Sequence, residues 1–342
     1  MALQPPDFLP SVPFARAASR RRMLARVQRF LQTPGRISPQ PSPMSAQPPA
    51  PPLPVHPAAP MPAPASAGWV SSLELRYSAA LGRCSGHARH RGAVRVLAAL
   101  YPEGPGVCHH VLVHPPGGLV GGDRIDIDLS VQAQAHALVT TPGATRFYRS
   151  LGQPAVQHVQ ARVCAGGRLE WLPLETLAFD ACLAENRAVF TLDAGAEMFG
   201  WDMLALGLPA AGKPFRQGQM VQHLELPDVW LERGRITAAD APLRRGPGGL
   251  NGSTALGTLF FATGSPIAAQ RRDALLDAAR QLTHALPAAQ PAGATAPHAQ
   301  VVVVRVLADR IEPVVTLLRA VWAAWRHVAW GLPPCPPRVW AT

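Results

Sequence analysis

"RIDIDLSVQAQAHALVTT", residues 124–141, alternates apolar and polar side chains with a period of two. An extended chain places every second side chain on the same face. The side chains on one such face are all apolar: Ile125, Ile127, Leu129 and Val131. The stretch therefore predicts strand with one buried and one polar face, a pattern typical of antiparallel sheet.

Short alternating runs of this kind recur from Trp69 onward and are separated by Gly/Pro turns. They include "LELRYSA", "GAVRVLAALY", "CHHVLVHP", "AVQHVQARVCAGGRLEWLP" and "ENRAVFTLD". No alternation of strand and long helix occurs before residue 265, which disfavours a doubly wound α/β fold. We expect a mainly β, multi-stranded domain over residues 67–342.

Two C-terminal helices complete this prediction. In "SPIAAQRRDALLDAARQLTHAL", Ser265 is the expected N-cap and Pro266 the first helical residue. In "DRIEPVVTLLRAVWAAWRHV", Asp309 is the expected cap and Pro313 falls in the first turn. The apolar positions at helical spacing are Leu275, Leu276, Ala279 and Leu282 in the first helix, and Ile311, Val314, Leu318, Val321 and Trp325 in the second.

Residues 1–66 differ in composition from the rest of the chain. They hold 17 of the 38 prolines and seven arginines against one acid, Asp7, so they supply +6 of the net charge of +11. This composition predicts a disordered, basic, Pro/Ala-rich tail. Three alternatives stay open: a targeting or membrane-surface segment, a partner-binding tail, and a start codon placed too early. No apolar stretch of about 7–15 residues follows the arginines, so an export signal is not expected.

The composition also indicates which kinds of partner, and which cellular compartment, are expected for this chain. The remaining charge of +5 is mild for a nucleic-acid-binding domain, which needs basic residues with interleaved aromatics. No run approaches the roughly 18–20 apolar residues of a membrane span. The cysteines are odd in number and lack a CxxC pair, which disfavours a disulfide framework or structural zinc and fits a reducing cytoplasm. They are Cys84, Cys108, Cys164, Cys182 and Cys335.

The glycine-rich loop "HPPGGLVGGDR", residues 114–124, matches no catalytic motif. It lacks the lysine of a Walker phosphate loop, and a strand follows it where a helix N-terminus would be needed. The chain has no GxSxG nucleophile elbow. "TTPGATRFYRS", 140–150, offers hydroxyls and arginines without a nearby base, and the acids of "LEWLPLETLAFD", 169–180, have no spacing that indicates acid–base catalysis. These patterns do not indicate an enzyme.

A histidine cluster next to this loop raises the question of a metal site. His109, His110 and His114 lie within six residues, and Asp123 follows nine residues later. On a strand, His110 and His114 would share a face and His109 would point the other way. Imidazole and carboxylate ligands suit nickel or zinc. Ordinary sheet histidines, with an aspartate bonded to the amides of its own turn, are the favoured alternative.

Five motifs occur in an order and at spacings that resemble the UreD family of urease accessory proteins, called UreH in some organisms. They are "HPPGGLVGGD" (114–123), "TTPGATRFYRS" (140–150), "LEWLPLETLAFD" (169–180), "GWDMLALGLPAAGKPFRQG" (200–218) and "PPRVWAT" (336–342). The resemblance runs from about Trp69 to Thr342 and leaves the tail outside.

The resemblance implies a non-catalytic, cytoplasmic chaperone with a β-helix-like stack of strands and a few helices. It implies binding to UreF, through UreF to the GTPase UreG, and to the urease apoprotein. Transient Ni²⁺ would pass through a water-lined tunnel to the urease active site, with no tightly bound cofactor and no nucleic-acid or membrane partner. Two alternatives stay open: an assembly scaffold that never touches nickel, and an enzyme with chemistry around Glu175 and His114.

The resemblance carries over residue by residue. The candidates for tunnel lining or transient nickel contact are His114, Asp123, Glu170, Glu175 and Asp180. The structural motif residues are Gly117, Gly118, Gly121, Gly122, Thr140, Thr141, Arg146, Tyr148, Arg149 and Ser150. We expect the four glycines to form a tight backbone crossing that positions Asp123, with positive φ at one or more of them.

The sequence departs from the family pattern at three places. Leu174 stands where many relatives have Gln. Asp180-Ala181-Cys182 stands where Asp-Gly-Ala is common, so that turn loses its glycine. Lys213 stands where an acidic side chain is more usual, which puts any role assigned to that position in doubt.

Overall fold

The computed structural model describes residues 68–285 and 290–341. The described part is 48% strand and 17% helix, which confirms the mainly β prediction. The predicted tail, residues 1–66, lies outside the described residues, as do Ala67 at the start of the predicted domain and Thr342 at its end.

Eighteen strands are found in the described residues and form two facing sheets. Their bounds are β1 Val70–Ala80, β2 Arg83–Arg91, β3 Arg95–Val96, β4 Val107–Val113, β5 Arg124–Val131, β6 His136–Thr140, β7 Thr145–Phe147, β8 Ala155–Val163, β9 Arg168–Leu172, β10 Thr176–Ala178, β11 Cys182–Leu192, β12 Glu197–Leu208, β13 Lys213–Pro214, β14 Gly218–Leu226, β15 Trp230–Thr237, β16 Ala255–Thr263, β17 Ala292–His298 and β18 Val301–Ala308. The seven-stranded sheet has the order β15-β14-β11-β8-β5-β1-β2. The eleven-stranded sheet has the order β17-β18-β16-β12-β9-β6-β4-β3, with β7, β10 and β13 paired to its side.

The chain winds between the two sheets as a solenoid. It passes from β5 to β6, from β8 to β9 and from β11 to β12, each time leaving the seven-stranded sheet for the eleven-stranded one. The strands of this winding are therefore parallel to their neighbours, as in the pairs β5–β8, β8–β11 and β6–β9. Pairs outside the winding, such as β1–β2, β14–β15 and β16–β18, are antiparallel. The stacked arrangement confirms the β-helix-like expectation. The antiparallel pairing expected from the alternation was wrong for these strands, because the short turns carry the chain across to the other sheet and do not fold it back as hairpins.

Residues with positive φ make the corners of this winding. Gln134, Gly166 and Gly195 occupy three successive corners with φ of 62°, 71° and 78°. The corners are also bonded to each other, since the Gly166 amide donates to the Gly195 carbonyl at 3.1 Å. Only this left-handed conformation turns the chain tightly enough here, and glycine adopts it without a Cβ clash.

The core fills the space between the sheets. Ile125, Ile127, Leu129 and Val131 are all buried there, as their alternation predicted. In β12 the even-numbered residues Met198, Leu204 and Leu206 join this core. The odd-numbered residues of β12 face away from it; Phe199, for example, contacts Trp325 of a C-terminal helix. The eleven-stranded sheet is thus covered on both faces.

The helices are α1 Ala241–Arg245, α2 Ala269–Thr283 and α3 Ile311–Trp330. The predicted caps were wrong, because α2 begins after Ala268 and α3 after Arg310, and neither residue caps through its side chain. Pro266 accordingly precedes α2, whereas Pro313 does fall in the first turn of α3. Every apolar position predicted for burial is buried except Ile311, which is half-buried. None of the helices within the described ranges is long and apolar enough to cross a membrane.

The turn that lacks its usual glycine is strained. Ala181 has a φ of 60°, the left-handed conformation that costs a residue with a Cβ about 1–2 kcal/mol. We expect Ala181→Gly to raise the free energy of unfolding by about 1 kcal/mol. Ala88→Gly, on the exposed edge strand β2, should lower it by about 0.5–1 kcal/mol. Urea unfolding of both variants checks the opposite signs; a loss of stability in both would contradict the assignment of strain.

Candidate functional site

The glycine-rich loop crosses the 145–150 segment at close range. The Leu119 amide donates to the Arg146 carbonyl at 2.7 Å, and the Tyr148 amide donates to the Leu119 carbonyl at 2.8 Å. These two bonds form a bridge between Leu119 and Phe147, beside β7. The loop is therefore an element of the sheet edge.

The four glycines make this crossing sterically possible. A Cβ on Gly118 would overlap the ring of Tyr148, and one on Gly121 would overlap neighbouring backbone and the Ser150 side chain. Gly117 and Gly122 have φ of 78° and 94°, so the expected positive φ is found at two of the four. The motif hydroxyls also serve local structure, each donating to a backbone carbonyl: Thr140 to Leu172 at 2.6 Å, Thr141 to Gly143 at 2.9 Å, and Ser150 to Gln153.

Asp123 uses both carboxylate oxygens to hold the crossing in place. Its Oδ1 accepts from the Trp69 amide at 2.9 Å, and its Oδ2 accepts from the Val120 amide at 2.9 Å. His114 lies near enough for the charge of Asp123 to act on it, but burial outweighs that charge and lowers the pKa of the imidazole. Asp123 therefore joins the start of β1 to the loop.

Asp180 and Glu175 lie in different surroundings. The Oδ1 atom of Asp180 accepts from the amides of Arg216 and Gln217 at 2.7 and 2.8 Å. Partial burial raises the pKa of Asp180, but these amide donors outweigh burial and lower it overall. Glu175 is half-buried, and among the described residues its carboxylate has no hydrogen bond; its charge acts on the Arg319 guanidinium.

Glu170 lies on the helix side of the eleven-stranded sheet and is fully buried. Its carboxylate accepts from His136 Nε2 at 2.8 Å, from Trp322 Nε1 at 2.7 Å and from Arg326 at 3.0 Å. Burial alone would raise the pKa of Glu170, but the His136 bond and the Arg326 charge outweigh it and lower the pKa. Arg326 also pairs with Glu103 at 2.8 Å.

His109 and His110 of β4 face opposite ways, as the alternation along a strand predicted, whereas His114 lies one residue beyond the end of β4. His109 Nε2 lies 2.7 Å from Glu103, and His110 Nδ1 lies 2.8 Å from the Tyr77 hydroxyl on the core side. Burial lowers the pKa of His110 to about 4, so the ring is neutral at neutral pH. Within the described ranges no three His, Cys, Asp or Glu side chains are grouped so that they could hold a metal ion. The five proposed nickel contacts are thus distributed over separate local networks.

A set of polar side chains between the two sheets escaped the sequence analysis. We call it the inter-sheet stripe. It comprises Gln157, Asn186, Gln222 and Glu232 from the seven-stranded sheet, and Asp202, Thr258 and Arg305 from the eleven-stranded sheet. The strand register aligns these residues, because Gln157, Asn186 and Gln222 are direct partners on adjacent strands. Asp202, Thr258 and Arg305 form the matching row opposite.

Hydrogen bonds join the two rows of the stripe. Asp202 accepts from Asn186 Nδ2 at 3.4 Å and from Gln222 Nε2. Thr258 donates to Glu232 at 3.2 Å, and Glu232 pairs with Arg305 at 2.5 Å. The Arg305 side chain is 56% exposed, so the stripe starts at the surface and continues inward.

Asp202 is the one carboxylate in the inner part of the stripe. Asp202 is half-buried and borders a small cavity with about 20 Å³ of space for the centres of water-sized molecules, room for one or two waters. Gln157, Asn186 and Trp171 also line this cavity. Burial, helped by the negative charge of Glu232, raises the pKa of Asp202 to about 7. The carboxyl group therefore exchanges its proton near neutral pH.

One signal in the sequence marks this site. In β12, "EMFGWDMLALGL", Asp202 is the only charged side chain after the first residue of an otherwise apolar strand. Gln157, Asn186 and Gln222 likewise occupy inward positions of their strands. The sequence does not show that these residues lie side by side, because that depends on the parallel register of the strands.

The described residues form a solenoid of two sheets, with a polar stripe between the sheets and a helical layer outside. This arrangement defines a β-rich protein, and its described residues form no recognisable catalytic site. A sequence profile of the UreD urease accessory proteins matches residues 70–341. Urease accessory protein UreD of Leptothrix cholodnii is 55% identical over 276 residues, which cover 80% of this chain and 99% of that protein. The UreD proteins of Paracidovorax citrulli and Variovorax paradoxus are 55% and 52% identical with the same coverage.

The chain belongs to the UreD family of urease accessory proteins. This membership confirms the resemblance found in the motifs, and the family is one of accessory proteins, not of enzymes.

The buried ion pair gives a prediction about stability. Glu170→Gln removes one of the two carboxylates that pair with the buried Arg326, and Glu103 remains as the other at 2.8 Å. Full loss of a partner from a buried pair costs about 3–5 kcal/mol, so we expect a loss at the lower end of that range. Glu74→Gln removes the same charge from the exposed Arg76–Glu74 pair and should cost less than about 1 kcal/mol. Urea unfolding of the two variants measures the difference. Equal losses would mean that the Glu170 carboxylate does not stabilise the fold.

The raised pKa of Asp202 predicts how the free energy of unfolding depends on pH. Its folded pKa of about 7 exceeds the ordinary value of 3.8, so the parent loses stability as pH rises from about 4 to about 7. Asp202→Asn should therefore be more stable than the parent by about 2–4 kcal/mol at pH 8, with little difference at pH 4. Asp128→Asn on the exposed face of β5 is the control. A pH-independent difference at Asp202 would contradict the shift.

Proposed function

We propose that this protein is a urease maturation chaperone that binds UreF, UreG and the urease apoprotein and passes Ni²⁺ toward the urease active site along the inter-sheet stripe. Membership of the UreD family of urease accessory proteins supports a role in urease maturation. The stripe is the observation that carries the nickel part of the proposal, because it offers carboxylate and amide oxygens on half-buried side chains between two otherwise apolar sheet faces.

The chemistry of the stripe suits a passing cation. Ni²⁺ accepts carboxylate and amide oxygen ligands but binds tightly only to several strong ligands together. Asp202 is a single carboxylate among neutral amides, and a proton competes for it near pH 7. Such a contact is weak, and a conduit needs contacts that release the ion as readily as they bind it.

The scaffold alternative has an observation in its favour. Asp123 and Asp180 accept bonds from the backbone, and Glu170 is paired with Arg326. If these acids act only within the fold, the protein positions its partners without touching nickel. The two functions differ in whether the charge of Asp202 matters.

The test is co-expression of the full chain with the other urease genes, followed by purification of urease and measurement of its nickel content. With Asp202→Asn we expect urease to contain severalfold less nickel while UreF still co-purifies with the variant. Asp128→Asn removes the same charge from the solvent face of the sheet and should leave nickel content unchanged. Unchanged nickel with Asp202→Asn would favour the scaffold, and loss of UreF would show a structural role.

A further inference from the structure

A basic groove lies on the surface where three segments of the chain meet. It has a volume of about 600 Å³. The residues that matter for its chemistry are Tyr148, Arg149, Phe179, Asp180, Lys213 and Arg216. Lys213 is the only lysine in the chain. None of the six belongs to the inter-sheet stripe.

The groove has an uncompensated positive charge. Arg149, Lys213 and Arg216 are exposed, and none of them forms an ion pair within 4 Å in the described part of the chain. Among the residues that the structure describes, Asp180 is the only acid lining the groove, and its Oδ1 already accepts two backbone amides. Three cations against one carboxylate leave a local charge of +2.

Backbone hydrogen bonds fix the chain positions from which the three cationic side chains extend. The Arg216 amide is bonded to Asp180, Lys213 pairs with Leu208 in the β12–β13 ladder, and Arg149 directly precedes Ser150, whose amide donates to the Ala181 carbonyl. The rings of Tyr148 and Phe179 pack against each other with centroids 4.9 Å apart, both half-buried. A ligand would therefore meet a preorganised backbone and ring pair, with the cationic side chains free to adjust to it.

We propose that this groove binds a carboxylate-rich segment of a protein partner. Its three cations lie on two segments of the chain, Arg149 on one and Lys213 and Arg216 on the other, so they match several carboxylates spaced along a peptide better than one small anion. Nucleic acid fits less well, because Asp180 stays ionised in the groove and would repel a phosphate. The tilted rings of Tyr148 and Phe179 are also half-buried, so neither presents a fully open face for a base to stack on. The inference does not depend on nickel transfer.

Because Lys213 lines the groove, its chemical reactivity reports on binding at that place. Acetylation of the full-length chain by N-hydroxysuccinimide acetate, followed by mass spectrometry, gives the reaction rate of this one lysine, even if a peptide also binds elsewhere. We expect capped hexaglutamate at millimolar concentration to slow acetylation of Lys213 about threefold. Capped hexaglutamine should leave the rate unchanged, and high salt should remove the protection.

Variants identify the groove as the cause. Arg149→Gln and Arg216→Gln should each weaken the protection, whereas Arg233→Gln and Arg235→Gln, exposed arginines of β15 outside the groove, should leave it intact. Absence of protection by hexaglutamate, or protection that survives both groove variants, would overturn the proposal. Equal protection by inorganic phosphate at the same charge would indicate a site for small anions. Stronger protection by hexathymidylate would indicate a site for nucleic acid. Either result would overturn the proposal.

Discussion

Helix α3 is fastened to the sheet by a carboxylate that has no contact with water. Glu170 is fully buried and accepts bonds from one residue of β6 and two residues of α3. A buried charge is tolerated only when it is paired and hydrogen-bonded, so α3 has one position in which the ion pair is satisfied. Trp322 of α3 then packs on Trp340, whose Nε1 donates to Thr140 at 2.8 Å. The C-terminal motif and the 140–150 motif are held together by this helix.

The strands and helices were predictable because each depends on local pattern. Alternation identified β1, β4, β5 and β8, and helical spacing identified the buried face of α3. The direction of pairing was not predictable in the same way. A short turn between two strands looks alike whether it makes a hairpin or a solenoid corner, and here Gln134 and two glycines make corners.

The candidate site was harder to predict, because the residues of the inter-sheet stripe share no motif spacing in the sequence. The family motifs pointed to Asp123, Glu170 and Asp180, and each of these carboxylates is engaged in a network that holds the fold. Asp202 lies inside a family motif as well, yet a single acid in an apolar strand has no recognisable spacing. Its environment comes from residues 16 and 20 positions away in sequence. Only the parallel register brings these side chains opposite Asp202.

Strand register also sets the step length of any path along the stripe. Gln157, Asn186 and Gln222 are direct partners on neighbouring strands, so their Cα atoms repeat at about the 4.8 Å distance between strands. An ion following them would move across the strands, meeting one new donor per coil of the chain. The number of coils therefore determines how many such polar side chains line the path. The backbone hydrogen bonds between neighbouring strands set the distance from one to the next.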